Sequence, residues 1–145
     1  PGRGRLGLSV RQVQDVVDGT PAVFRTPVEV EIHDSRGSRR VRLSLEKRQE
    51  IFDLEAPERP VWVRFDKGGW IPKRLRETKE PEEWLAILAA DDDANGRLDA
   101  LAALGELARG ARTVSERARL VEALARAVAS DPLPALRARA ATALS

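Results

Sequence analysis

From Asp91 the sequence reads DDDANGRLDALA, with oxygen-bearing side chains at Asp91, Asp93, Asn95 and Asp99. Asp91, Asp93, Asn95, Gly96, Leu98 and Asp99 fit the pattern of a calcium loop. The twelfth position should be a bidentate glutamate, and here it is Ala102, which has no ligand oxygen. Helix capping explains the same acids without a metal, because a carboxylate can accept the unpaired N–H groups at a helix start. An inter-helix turn is therefore expected.

Other chemical candidates read in the same way. The GRGRLG run (Gly2, Gly4, Gly7) matches a dinucleotide fingerprint in letters. That fingerprint needs a strand before it and a helix after it, and here a strand pattern follows. His33 lies at a strand end as the one imidazole of the chain, and no Cys, Ser or carboxylate arrangement elsewhere pairs with it, so a solvated imidazole is expected. Residues 35–48 gather Arg36, Arg39, Arg40, Arg42, Lys47 and Arg48. They could grip phosphates, but no aromatic residues are interleaved for base stacking, and such charges also protect exposed strand edges. Glu82 and Glu83 are adjacent, so a helix turns them about 100° apart, which is poor geometry for paired acid–base work. Trp62, Trp70 and Trp84 are expected to pack in cores or between domains rather than form a ligand cage.

Composition narrows the chemistry further. The chain has 145 residues, no cysteine, one histidine and a net charge of +2. Disulfides and thiolate metal sites are excluded, and one imidazole cannot build a standard zinc centre. Apolar residues make up 42% and charged residues 33%, as in a globular chain. The basic N-terminal stretch lacks the apolar core of a signal peptide. No apolar run reaches membrane-spanning length. A cytoplasmic location, with no membrane partner, is expected. There is no Met, and RAATALS at the other end lies within a helical pattern; a fragment of a longer protein is expected.

The elements that would position these residues fall into two halves. Strict alternation places Leu6, Leu8 and Val10 on one face of a strand, and Val28, Val30 and Ile32 on one face of another. Glu29, Glu31 and His33 are expected on the exposed face. DSRGSR forms a turn, and RVRLSLEK, IFDLEA and VWVRFD supply further strands. From Thr78 the period becomes helical. Pro81 opens a first helix with Glu82 and Glu83 in its first turn, and Trp84, Leu85 and Leu88 share a face. A second helix follows residues 91–93, carries Leu98, Leu101, Leu104 and Leu107 or Ala108, and ends near Gly110. Thr113 and Glu116 form a capping box for a third helix, which carries Leu120, Val121, Leu124 and Val128. A fourth starts near Pro134. The fold class expected is α+β with segregated halves: a small antiparallel β-sandwich (1–77) and a HEAT-like helical domain (78–145).

The helical half repeats. Set against each other, residues 91–104 and 131–144 match at Asp91 and Asp131, Arg97 and Arg137, Ala100 and Ala140, and Leu104 and Leu144. The offset is 40 positions, within the range of HEAT-like helix pairs, and the aspartate is expected to cap the helix start.

In order, LSVRQVQ, TPAVFRTPVEVEI, VWVRFDKGGWIPKRL and the Trp84–Ala108 region resemble the C-terminal part of gluzincin zinc aminopeptidases of the aminopeptidase N type. Gln12, Gln14, Phe24 and Pro27 carry the resemblance in the first half, and Asp66, Trp84-Leu85, Arg97, Ala100 and Leu104 in the second. Two departures stand out. Lys67-Gly68-Gly69 follows Asp66 where the family usually has Pro, and the Gln49–Phe52 spacing is one residue long. The resemblance implies a β-sandwich that braces a catalytic domain and a helical domain that limits peptide access to its cleft. It also implies zinc in the parent protein. The family's H-E-x-x-H and Gly-x-Met-Glu-Asn motifs are absent here, so no catalytic, cofactor-binding or metal-binding residue is assigned, and the chain alone is expected to be inactive. The partners implied are the parent's catalytic domain and peptide substrates. The alternatives are an interaction scaffold that has lost the metal motif and a weakly basic nucleic-acid-binding module, the latter disfavoured by the small net charge.

Overall fold

The computed structural model describes residues 4–144. Among these described residues five antiparallel strands in two sheets precede four helices, an α+β arrangement with no closed barrel. The chain divides into two compact units, one ending at Asp66 and the other beginning at Lys67. Residues 67–77, grouped with the first unit above, thus go with the helices. Lys67 and Gly68 bond to the aspartates between the first two helices.

In the first unit, β1 (Arg5–Arg11) pairs with β4 (Gln49–Glu55). A three-stranded sheet holds β2 (Thr26–Asp34) between β3 (Gly37–Leu45) and β5 (Trp62–Phe65). Alternation selects the buried face: Val28 pairs with Leu43 and Val30 with Val41, and Val28, Val30, Ile32, Leu43 and Leu45 are all buried or nearly so. Each such burial contributes about 2 kcal/mol. The opposite face of β2 departs from the expected solvated surface. Glu31 is buried because it lies opposite the buried Arg64 on β5, and Arg40 approaches it from β3 at 3.9 Å.

The glutamines that carried the family resemblance organise the 12–25 connection. The Gln12 side chain donates to the Phe24 carbonyl at 2.9 Å and accepts the Phe24 N–H at 2.8 Å. The Gln14 side chain donates to the carbonyls of Pro21 and Ala22. Backbone groups with no strand partner are thereby paired by side chains.

The second unit holds α1 (Pro81–Ala90), α2 (Ala94–Gly110), α3 (Val114–Ser130) and α4 (Pro134–Leu144). Pro81 opens α1, with Glu82 and Glu83 in its first turn. Thr113 accepts the Glu116 N–H at 3.1 Å, while the Glu116 carboxylate returns to the Arg112 N–H rather than to Thr113. Ile87, Leu101, Leu104, Leu120 and Leu124 are the fully buried large side chains of this unit. Gly105 lets α2 and α4 approach: a Cβ there would stand 3.1 Å from the Ala143 Cβ. Leu98, expected on the buried stripe, is 40% exposed; Leu101, Leu104 and Ala108 carry that stripe instead. None of the described helices is long and apolar enough to cross a membrane.

Candidate functional site

Lys67, Asp91, Asp93, Arg97, Asp131 and Arg137 of the second unit converge on the turns between helices. Asp91 closes α1, its N–H bonding to the Ile87 carbonyl, and its Oδ1 accepts the Asp93 N–H at 2.9 Å. Asp131 closes α3 in the same way, and its Oδ1 accepts the Leu133 N–H at 2.9 Å. Arg97 then donates Nη1 to the Asp91 carbonyl at 2.8 Å, and Arg137 donates Nη1 to the Asp131 carbonyl at 2.9 Å. The 40-residue repeat is thus a repeat of bonds, not only of letters. One expectation is corrected: Asp91 and Asp131 end the preceding helices, and Asp93 is the residue that caps α2, accepting the Asn95 N–H at 3.0 Å. A carboxylate can brace a turn this way because it accepts several N–H bonds at once.

A cation faces each junction aspartate. Arg97 donates Nε to Asp131 Oδ2 at 3.0 Å, with both side chains largely buried. At the first junction no helix precedes α1 among the described residues, and Lys67 takes the equivalent place, 3.4 Å from Asp91 and 2.6 Å from Asp92. The Lys67 ammonium bonded to Asp92 holds that carboxyl below the usual carboxylate range. The turn that delivers Lys67 needs left-handed backbone at Asp66 (φ 54°), Gly68 (φ 90°) and Gly69 (φ 68°). Glycine adopts that conformation without penalty, and the Gly68 N–H is then free to reach Asp93 Oδ2 at 3.0 Å. Sequence reasoning aligned Arg97 with Arg137 but did not pair them with the aspartates. The legible signal was an Asp followed six positions later by an Arg in both copies. Nothing comparable marked Lys67.

These bonds engage Asp91 and Asp93 of the calcium-like pattern. The carboxylates of Asp91 and Asp93 point at backbone N–H groups and Lys67, and no group of three or more His, Cys, Asp or Glu among the described residues could hold a metal ion. Beside the junctions, α1 and α3 border an open cleft of about 570 Å³. Leu85, Leu88 and Ala123 line it, together with Arg97, Arg119 and Arg126. Each arginine already faces a carboxylate: Asp131, Glu82 at 2.6 Å and Glu122 at 2.6 Å respectively. The Arg119 contact holds the Glu82 carboxyl below its ordinary range. The cleft can shelter an apolar group; Ser130, which also lines it, donates its hydroxyl to the Arg126 carbonyl, and Asp131 is engaged by the Leu133 N–H and Arg97.

The remaining candidates lie apart from one another. His33 stacks on Trp62 with ring centroids 3.7 Å apart and planes 3° from parallel, and its Nδ1 is 2.8 Å from the Ser38 hydroxyl. It is half-buried against an aromatic ring, not fully solvated. Trp62 and Trp84 are buried as expected, with Lys79 5.5 Å above the Trp84 ring. Trp70 is not: it is 81% exposed, its ring resting beside Gly68. Of the basic stretch, Arg36 pairs with Glu58 and Arg40 with Glu29, while Arg39 donates to the Glu55 carbonyl. Ser35 and Arg36 together hold the Glu58 carboxyl below its usual range. Gly2 of the GRGRLG run lies outside the described residues, and strand β1 begins directly after Gly4.

No family model matches the chain, and no curated protein does. Among solved structures, the chain is similar to the crystal structure of Legionella pneumophila aminopeptidase A in complex with aspartic acid. The TM-score is 0.66 at 14% identity, covering 97% of this chain and 17% of that one. At that identity the likeness concerns the fold. The chain spans about a sixth of the length of the protein it matches.

Proposed function

We propose that this chain is a non-catalytic part of a zinc aminopeptidase, serving as a brace for the catalytic domain and a limit on peptide access to its active site. The observation that carries this reading is the likeness of nearly the whole chain to part of an aminopeptidase structure. The repeated helix pairs support a HEAT-like character for the second unit, since each junction reuses the same bonds at the repeat distance.

The residues present do not fit the zinc that such an enzyme needs. The only histidine is stacked on Trp62, and no set of three ligands is gathered among the described residues. Zinc, the general base and the site for the substrate's amino terminus would belong to the parent's catalytic domain. The role left to this chain is positional: a helical surface whose cleft is lined by apolar side chains and by arginines that each face a carboxylate suits extended peptide better than a phosphate backbone. The pairing of Arg36, Arg39 and Arg40 within the first unit argues in the same direction.

The test is to express the native reading frame that contains this chain, with and without residues 67–145. The product should hydrolyse amino-acid anilides in a zinc-dependent way. Loss of the helices should change the preference between short and long peptides more than the rate on the anilide. An unaltered length preference would count against the gating role. A frame without H-E-x-x-H and its distal glutamate would favour the scaffold reading.

A further inference from the structure

Three cations stand in register along the helix junctions. Lys67 faces Asp91, Arg97 faces Asp131, and Arg137 occupies the position 40 residues after Arg97. Arg97 uses two edges, Nη1 on the carbonyl of the junction behind it and Nε on the aspartate of the junction ahead. Arg137 repeats the first of these, donating Nη1 to the carbonyls of Asp131 and Pro132 at 2.9 and 3.4 Å. Among the described residues no carboxylate stands against its Nε edge.

The apolar positions diverge at the same place. Ala100 and its counterpart Ala140 are both fully buried. Leu101 and Leu104 of α2 are fully buried too, but their counterparts on α4 are Ala141, which is exposed, and Leu144, which is 39% exposed. The difference is confined to one flank, and α2 itself packs against both α3 and α4.

We infer that this flank of α4 docks one more helix pair, built like residues 114–144, whose junction aspartate binds the Nε edge of Arg137. A guanidinium with one edge bonded is pre-oriented for a carboxylate on the other, which favours a carboxylate-bearing partner over a purely apolar one. A second copy of this chain does not supply that aspartate: its Asp91 is buried against Lys67 and its Asp131 against Arg97. This inference does not depend on the aminopeptidase reading.

A graft tests it. A copy of residues 105–144 joined directly after Leu144 places the counterpart of Asp131 at the repeat distance from Asp131. The appended helices should be protected from hydrogen exchange, and the thermal midpoint should rise above that of the unextended chain. Arg137→Ala, or replacement of the appended aspartate by alanine, should each remove most of the rise, and both together should remove no more than either alone. In the unextended chain Arg137→Ala should shift the midpoint less than it does in the extended one, which separates docking from a general folding defect. Appended helices that stay unprotected, or a rise that survives both substitutions, would overturn the proposal. A concentration-dependent dimer of the unextended chain that is lost in Arg137→Ala would assign the flank to a second copy and overturn the choice of partner.

Discussion

Arg97 and Asp131 stand 34 positions apart in sequence and meet at 3.0 Å, with Asp131 almost fully buried. Because Arg97 also holds the Asp91 carbonyl at 2.8 Å, one side chain ties two helix junctions together. Removing it leaves a buried carboxylate without its cation. Arg97→Ala should therefore cost about 3 kcal/mol, the range for breaking a buried pair. Arg97→Lys should recover only part of this, since an ammonium cannot reach both acceptors in the planar geometry of a guanidinium. Urea unfolding of the single and double variants checks it. Additive losses in Arg97→Ala and Asp131→Ala would show that the two side chains are not coupled.

The Lys67–Asp92 contact makes a pH prediction. Lys67 lowers the folded-state pKa of Asp92 below its unfolded value. The contact thus contributes stability above the unfolded pKa, and that contribution is lost as pH falls through the folded pKa. Asp92 is well exposed, so the effect should be modest and should shrink with added salt. Asp92→Asn should flatten the acid limb of the stability profile. An identical limb in the variant, measured by thermal melts from neutral to acidic pH, would remove Asp92 from the account of acid sensitivity.

Gly105 should tolerate no bulk. Gly105→Val should destabilise by about 1–3 kcal/mol through overpacking against α4. Gly105→Ala should fall near neutrality, because the gain in helix propensity of about 1 kcal/mol offsets the close contact with Ala143. Pairing Gly105→Val with Ala143→Gly should restore part of the loss. No restoration would mean that the contact with α4 is not what limits the site.

Much of this was legible because it rests on short-range pattern. Alternation in VEVEI exposed the buried face of β2, and Pro81 with its two glutamates marked the start of α1. The failures were long-range. Glu31 sits at an outward position by alternation, and only the register against Arg64 buries it. The junction aspartates were noticed as helix starters, yet their main work, ending one helix and receiving a cation from elsewhere, depends on partners such as Lys67 and Arg97 that no local window contains. Trp70 looked like an anchor by residue type, and the left-handed turn before it leaves the ring outside.

His33 and Trp62 offer an optical readout. Their rings are stacked nearly parallel, with centroids 3.7 Å apart, so the indole emission of Trp62 reports on the imidazole against it. The emission of Trp62, isolated by difference against Trp62→Phe at one fixed neutral pH, should differ between the unsubstituted chain and His33→Ala. Identical emission in the two proteins would mean that the stack does not persist in solution.

The proposal that this chain is part of an aminopeptidase, with the chemistry residing elsewhere in the parent, is tested most directly by amino-acid anilide hydrolysis measured side by side. The samples are this 145-residue chain with added zinc and the product of the native reading frame that contains it. The chain alone should show no hydrolysis above the buffer rate, and the full product should turn over the anilide and lose that activity to a chelator. Chelator-sensitive hydrolysis by the chain alone, or an inert zinc-loaded full product, would contradict it.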